Sequence, residues 1–119
     1  MNARLRLLRA QDFLIHHFQE RIQSITLDAD RPMVRVLFQK GCILYIRYND
    51  YGHYSYQINF SQMPDDWVRF DDYDATWPVS TNPHHLHYHG QQNVKDSPMG
   101  GNPDEDIPFL IKFLKKELL

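Results

Sequence analysis

Met33-Val34-Arg35-Val36-Leu37-Phe38, followed by Gln39-Lys40-Gly41 and then Cys42-Ile43-Leu44-Tyr45-Ile46-Arg47-Tyr48-Asn49, is the stretch whose reading decides the fold. Both outer runs are rich in β-branched and aromatic residues. The three residues between them are of hairpin length, with Gly41 available for a positive φ. Asn49-Asp50-Tyr51-Gly52 supplies the next turn, and His53 to Phe60 then alternates, with Tyr54, Tyr56, Ile58 and Phe60 on one face and His53, Ser55, Gln57 and Asn59 on the other. A strand with one apolar and one polar face belongs to an antiparallel sheet that needs helices on its apolar side.

The flanks supply them. Leu7, Ala10, Leu14, Phe18 and Ile22 recur at helical spacing, so residues 3 to about 20 read as an amphipathic helix. His16 and His17 fall near its end, in an exposed or capping role. Ile22 to Asp28 reads as a short strand ended by Asp28-Ala29-Asp30-Arg31-Pro32. Near the other end, Asn102 or Asp104 can cap a helix with Ile107, Leu110, Ile111, Leu114 and Leu118 on one side and Lys112, Lys115, Lys116 and Glu117 on the other; Pro108 suits only its first turn. The expectation is one α+β domain over residues 1–119: a helix at about 3–20, an antiparallel sheet of five or six strands within about 22–90, a loop over 91–103 without chemistry, and a helix at about 104–118.

Composition narrows the function classes. With 119 residues, 42% of them hydrophobic, the chain can fill one core. Thirteen basic against fifteen acidic residues leave a net charge of −2, so no global field draws it onto nucleic acid or anionic lipid. Cys42 is the single cysteine, which excludes an internal disulfide and a cysteine zinc cage and makes a cytoplasmic protein the simplest reading. Apolar runs are short and interrupted by charge, so neither a membrane span nor a leader is expected.

The chemistry is concentrated in Pro83-His84-His85-Leu86-His87-Tyr88-His89-Gly90, which holds four of the seven histidines. In an extended chain His85, His87 and His89 share one face, with His84, Leu86 and Tyr88 on the other. Upstream, Trp67-Val68-Arg69-Phe70-Asp71-Asp72 reads as a strand that puts Trp67, Arg69 and Asp71 on one face. Histidines that titrate near neutrality, beside an arginine that neutralises an oxyanion, suit RNA cleavage without a metal. His84, His85 and His87 would move protons, Arg69 would hold the phosphate and Asp71 would orient an imidazole; Arg47 and His53 are possible neighbours. This reading needs neither cofactor nor metal.

A metal is the alternative. Imidazoles at i and i+2 of a strand lie about 7 Å apart at Cβ and can lean onto one ion. His85 and His89, about 13 Å apart in a straight strand, cannot share it, so a third ligand such as Asp71 or His53 would be required. A non-catalytic binding module, with Tyr45, Tyr51 and Tyr54 as exposed contacts, is a third reading.

Tyr54-Ser55-Tyr56-Gln57, Val68-Arg69-Phe70-Asp71-Asp72, Ser80-Thr81-Asn82-Pro83-His84-His85-Leu86-His87, then Val94 and Ser97 before a closing helix, resemble in order and spacing the TumE family of small bacterial toxins. The resemblance covers roughly residues 20–119 and marks Arg69, Asp71, Pro83, His84, His85 and His87 as motif positions. It implies growth inhibition relieved by a tightly bound helix-turn-helix antitoxin, TumA, so that DNA is reached only through that partner; RNA as substrate is expected from the histidine and arginine chemistry alone, and no membrane partner is expected. Two positions depart from the family pattern. Asp72 replaces the asparagine of an Asp-Asn pair, and Leu86 replaces a lysine, removing a cation where a phosphate contact would be convenient. A diverged, inactive member is therefore also open.

Overall fold

The computed structural model describes residues 2–28 and 30–118, the latter without the Leu118 side chain. Ala29, expected in the first turn, and the Leu118 side chain, expected on the buried side of the last helix, lie outside the described residues. Helix α1 (Ala3–Phe18) passes through a 3-10 turn (Gln19–Arg21) into β1 (Ile22–Asp28), β2 (Met33–Phe38), β3 (Ile43–Tyr48), β4 (Tyr54–Asn59), β5 (Trp67–Asp71), β6 (His85–Tyr88) and β7 (Val94–Asp96), and α2 (Pro103–Leu118) follows. The strands lie side by side in chain order, each antiparallel to the next. The fold is therefore the expected α+β arrangement. Among the described residues the sheet has seven strands rather than five or six. The added strand, β7, has three residues, too few to show a period in a segment that reads as loop.

Turn chemistry fixes the meander. Gly41 and Gly52 take the positive φ that each hairpin turn requires, at 89° and 91°. Asn49 Oδ1 accepts from the backbone N–H of both Tyr51 and His53, each at 3.0 Å. Asp28 Oδ1 ties the first turn through Asp30 and Arg31 N–H.

Both helices cover the same face of the sheet. Leu7, Ala10, Leu14 and Phe18 of α1 and Ile107, Leu110, Ile111 and Leu114 of α2 are buried against Val34, Val36, Leu44, Ile46, Tyr56, Ile58, Val68 and Phe70. Full burial of each such aliphatic or aromatic side chain contributes about 1.5–3 kcal/mol, so this shared layer is what holds helices and sheet together. Asn2 caps α1 by accepting from Leu5 N–H at 2.9 Å, and Ala3 N–H donates to Asp50 Oδ1 at 2.8 Å, which fixes the start of the helix to the β3–β4 turn. Ile22, the last residue of the expected helical stripe, belongs to β1 instead.

Helix α2 begins one residue earlier than expected, because Asn102 is its cap and Pro103 its first residue; Asn102 Oδ1 accepts from Asp104 N–H at 3.0 Å. Pro108 consequently lies in the second turn, not the first. Buried Asp106, in the first turn of α2, accepts from Gly100 N–H at 2.9 Å, Gly101 N–H at 2.7 Å and Tyr56 O–H at 2.7 Å. The proton of Tyr56 is thus committed to Asp106, so Tyr48, 2.8 Å away, must donate to the Tyr56 oxygen. Burial pushes both phenols up, which keeps them neutral donors. Among the described residues no helix is long and apolar enough to cross a membrane.

Candidate functional site

The period of two along β5 and β6 sends Val68, Phe70, Leu86 and Tyr88 toward the helices and Trp67, Arg69, Asp71, His85 and His87 to the far face. Register then pairs them: Asp71 lies opposite His85 and Arg69 opposite His87. Asp71 is the hub. Its Oδ2 accepts from Arg69 Nε at 2.6 Å, its Oδ1 accepts from Tyr73 N–H at 3.1 Å, and His85 Nε2 lies 2.8 Å from Oδ1. His87 Nε2 is 4.0 Å from Oδ2. The guanidinium and the imidazole of His85 therefore meet on one carboxylate, on the side of the sheet away from the helices.

That side is closed over the two imidazoles. The segment between β5 and β6 folds back so that Trp77 packs on both rings, with centroids 6.1 Å from His85 and 5.2 Å from His87. His85 and His87 are each 1% exposed, while the Arg69 side chain keeps 26%. An open cavity of about 360 Å³ adjoins the hub, and Arg47, Arg69, Asp71, Tyr73, Asp74 and His87 are among its lining. Burial is the main cause that lowers the His87 pKa, opposed first by the hydrogen bond to the Gln91 carbonyl and then by Asp71, and helped by Arg69, so the neutral ring is favoured.

Both rings are oriented by backbone carbonyls. His85 Nδ1 lies 2.9 Å from Pro83 O, and His87 Nδ1 lies 2.9 Å from Gln91 O. Gln91 reaches this position because His89 and Gly90, at φ 54° and 123°, turn the chain back after β6. Its side-chain oxygen also accepts from Arg69 Nη2 at 3.0 Å. The segment expected to carry no chemistry thus supplies a positioning residue.

Other expected residues lie elsewhere. His84 Nδ1 hydrogen-bonds Tyr54 O–H at 2.9 Å and its ring stacks on Tyr54, on the helix side of the sheet; it precedes β6 and does not join Arg69, Asp71, His85 and His87. His89 leaves the shared face at its positive φ and stacks on Phe60, with Nδ1 3.6 Å from Asp66. Arg47 lines the cavity, whereas His53 sits behind Tyr73, stacked on it and 3.2 Å from Asp72. Asp72 Oδ1 also accepts from Tyr54 N–H, a structural task at the departure from the family pattern. Leu86 packs toward the core beside Phe70, so a lysine there would leave the strand on the face opposite the hub. Tyr54 is fully buried and cannot be a surface contact; Tyr51 is exposed.

Trp77, Tyr73 and Gln91 were not legible as site residues, since nothing local distinguishes them from ordinary loop residues. The one signal was the turn-forming His89-Gly90, which could have been read as returning Gln91 toward His87. No protein-family model, no curated protein and no solved structure matches this chain.

Proposed function

We propose that this protein is the growth-inhibiting component of a TumE-type toxin–antitoxin pair and that it cleaves RNA at the hollow lined by Arg47, Arg69, Asp71 and His87, with His85 buried behind Asp71. The observation that supports it is the meeting of the Arg69 guanidinium and two carbonyl-anchored imidazoles on one buried carboxylate, beside a cavity of nucleotide-phosphate size. Arg69 and Arg47 hold the phosphodiester and offset charge that grows on its oxygens. The 2′-oxygen attacks phosphorus, the P–O2′ bond forms as the P–O5′ bond breaks, and the products are a 2′,3′-cyclic phosphate and a 5′-hydroxyl. The 2′-proton passes to the lone pair of His87 Nε2, and the leaving 5′-oxygen takes a proton from solvent. Tyr73 and Trp77 offer ring faces at the rim for a base. A cytoplasmic location and a helix-turn-helix antitoxin belong to the same proposal and rest on the resemblance of motif order.

The test uses purified protein and a single-stranded RNA. Wild type is expected to yield cyclic-phosphate ends, and Arg69→Ala, with its fold checked by circular dichroism, is expected to lose at least about 100-fold in rate. Intact RNA after incubation with folded wild type would overturn the RNA reading. Cleavage that survives in Arg69→Ala would remove this hollow from it.

A further inference from the structure

The ring nitrogens at the hub pose a problem that hydrogen bonds among the described residues do not solve. A carbonyl oxygen only accepts, so the Nδ1 atoms of His85 and His87, each 2.9 Å from a carbonyl, must carry the N–H. In a neutral imidazole that leaves Nε2 as a bare lone pair. Both Nε2 atoms lie close to an Asp71 oxygen, at 2.8 and 4.0 Å, and each such oxygen is itself an acceptor. His85 Nε2 is the one buried side-chain polar atom among the described residues with no hydrogen-bond partner, although Oδ1 of Asp71 is only 2.8 Å away. The oxygen lies off the ring's N–H direction, so a doubly protonated His85 does not repair the contact.

We propose that Asp71, His85 and His87 bind a first-row divalent transition-metal ion through one carboxylate oxygen and the two Nε2 atoms. The inference goes beyond the RNA reading: ion binding stands without it, while the ion's part in cleavage rests on it. Three features of the site carry the proposal. The ligand atoms lie within 4.8 Å of one another and all three residues are buried. Ligands at about 2.0–2.2 Å from a common ion sit roughly 3.0–3.6 Å apart, so the rings close in by about 1 Å. The second contact of each ligand is the kind that orients metal-binding side chains: Nδ1–H to a backbone carbonyl for each histidine, Arg69 Nε–H and Tyr73 N–H to Asp71.

Two nitrogens and one carboxylate oxygen favour zinc, iron, cobalt, nickel or manganese over magnesium or calcium, which prefer oxygen cages. Asp71 and His87 also line the cavity, so the positions not taken by protein open onto it. Charge points the same way. Arg47 and Arg69 are balanced in that lining by Asp71 and Asp74, and a divalent ion leaves the hollow positive, as capture of a phosphodiester requires. An ion at this position also lowers the proton affinity of an oxygen bound to it.

The experiment uses the full chain without an affinity tag, freed of metal and titrated with cobalt(II) while visible absorption and calorimetric heats are followed. One equivalent is expected to bind, with d–d bands of a nitrogen-ligated site, a rise in Tm of several degrees and displacement by zinc. His87→Ala and Asp71→Asn are expected to weaken binding at least about 100-fold. His16→Ala/His17→Ala, which removes an exposed pair outside the site, is expected to leave it unchanged. Failure of folded wild type to take up an equivalent at about 100 μM free ion would overturn the proposal, as would undiminished binding by both His87→Ala and Asp71→Asn. The two readings fail separately. Undiminished RNA cleavage by metal-free protein in EDTA overturns the ion's part in cleavage and leaves the RNA reading. Stoichiometric binding with intact RNA overturns the RNA reading and leaves the ion.

Discussion

Asp71→Ala is expected to abolish RNA cleavage, with a loss of roughly a thousand-fold or more, and to lower folding stability by about 2–4 kcal/mol. The two effects have one source. Asp71 is 2% exposed and accepts from Arg69 Nε–H and Tyr73 N–H, with His85 Nε2 2.8 Å away. Without it the guanidinium loses its anchor, the backbone amide loses an acceptor, and two anchored imidazoles face a hole. Asp71→Asn separates the contributions. The amide keeps the shape and one acceptor oxygen, so most of the stability should return, while the anionic ligand is gone and activity should stay near the alanine level. Chemical denaturation and single-turnover cleavage of both variants check this. Recovery of activity in Asp71→Asn would mean that the carboxylate is structural only.

Asp106→Ala is the second large effect, and it belongs to the fold rather than the site. Its carboxylate accepts from Gly100 N–H, Gly101 N–H and Tyr56 O–H in a buried pocket between sheet and α2. Removing the acceptor leaves those donors without partners, at an expected cost of about 3–5 kcal/mol. For a domain of this size that is a fall in Tm of roughly 15 °C. The proton order along Tyr48, Tyr56 and Asp106 makes the comparison sharper. Tyr48→Phe removes only the outermost donor and should cost about 1 kcal/mol, whereas Tyr56→Phe also strips Asp106 of a partner and should cost more. Asp106→Ala below its Tm should still cleave RNA, because the residue lies on the helix side of the sheet, away from Asp71. Equal effects of Tyr48→Phe and Asp106→Ala would contradict that order.

The meander was legible because its strands obey a period of two and its turns carry Gly41, Gly52 and Asn49, each of which does what its chemistry suggests. The same parity placed Arg69, Asp71, His85 and His87 on faces that could meet, since residues two apart on a strand must point the same way. Register was not legible. The pairing of Asp71 with His85 and Arg69 with His87 depends on how the thirteen residues between β5 and β6 return, which no local pattern encodes. His84 follows the alternation, on the helix side with Leu86 and Tyr88, and so cannot join His85 and His87; His89 turns away at a positive φ and marks the limit of face counting. Tyr54, offered as an exposed contact, is buried as its place in the Tyr54, Tyr56, Ile58 stripe requires, and its hydroxyl is satisfied by part-buried His84. Trp77 and Gln91 reach the site through loop geometry alone, and β7 was too short to announce itself.

The protonation of two ring nitrogens tests the central claim most directly. In the ion-free protein at neutral pH, long-range ¹H–¹⁵N correlation spectra of labelled histidine should show Nδ1 protonated and Nε2 bare in both His85 and His87, with both Nε2 signals moving together as one equivalent of zinc is added. Protonation at Nε2 of either ring, or Nε2 signals indifferent to zinc, would contradict the convergence of bare acceptors on Asp71.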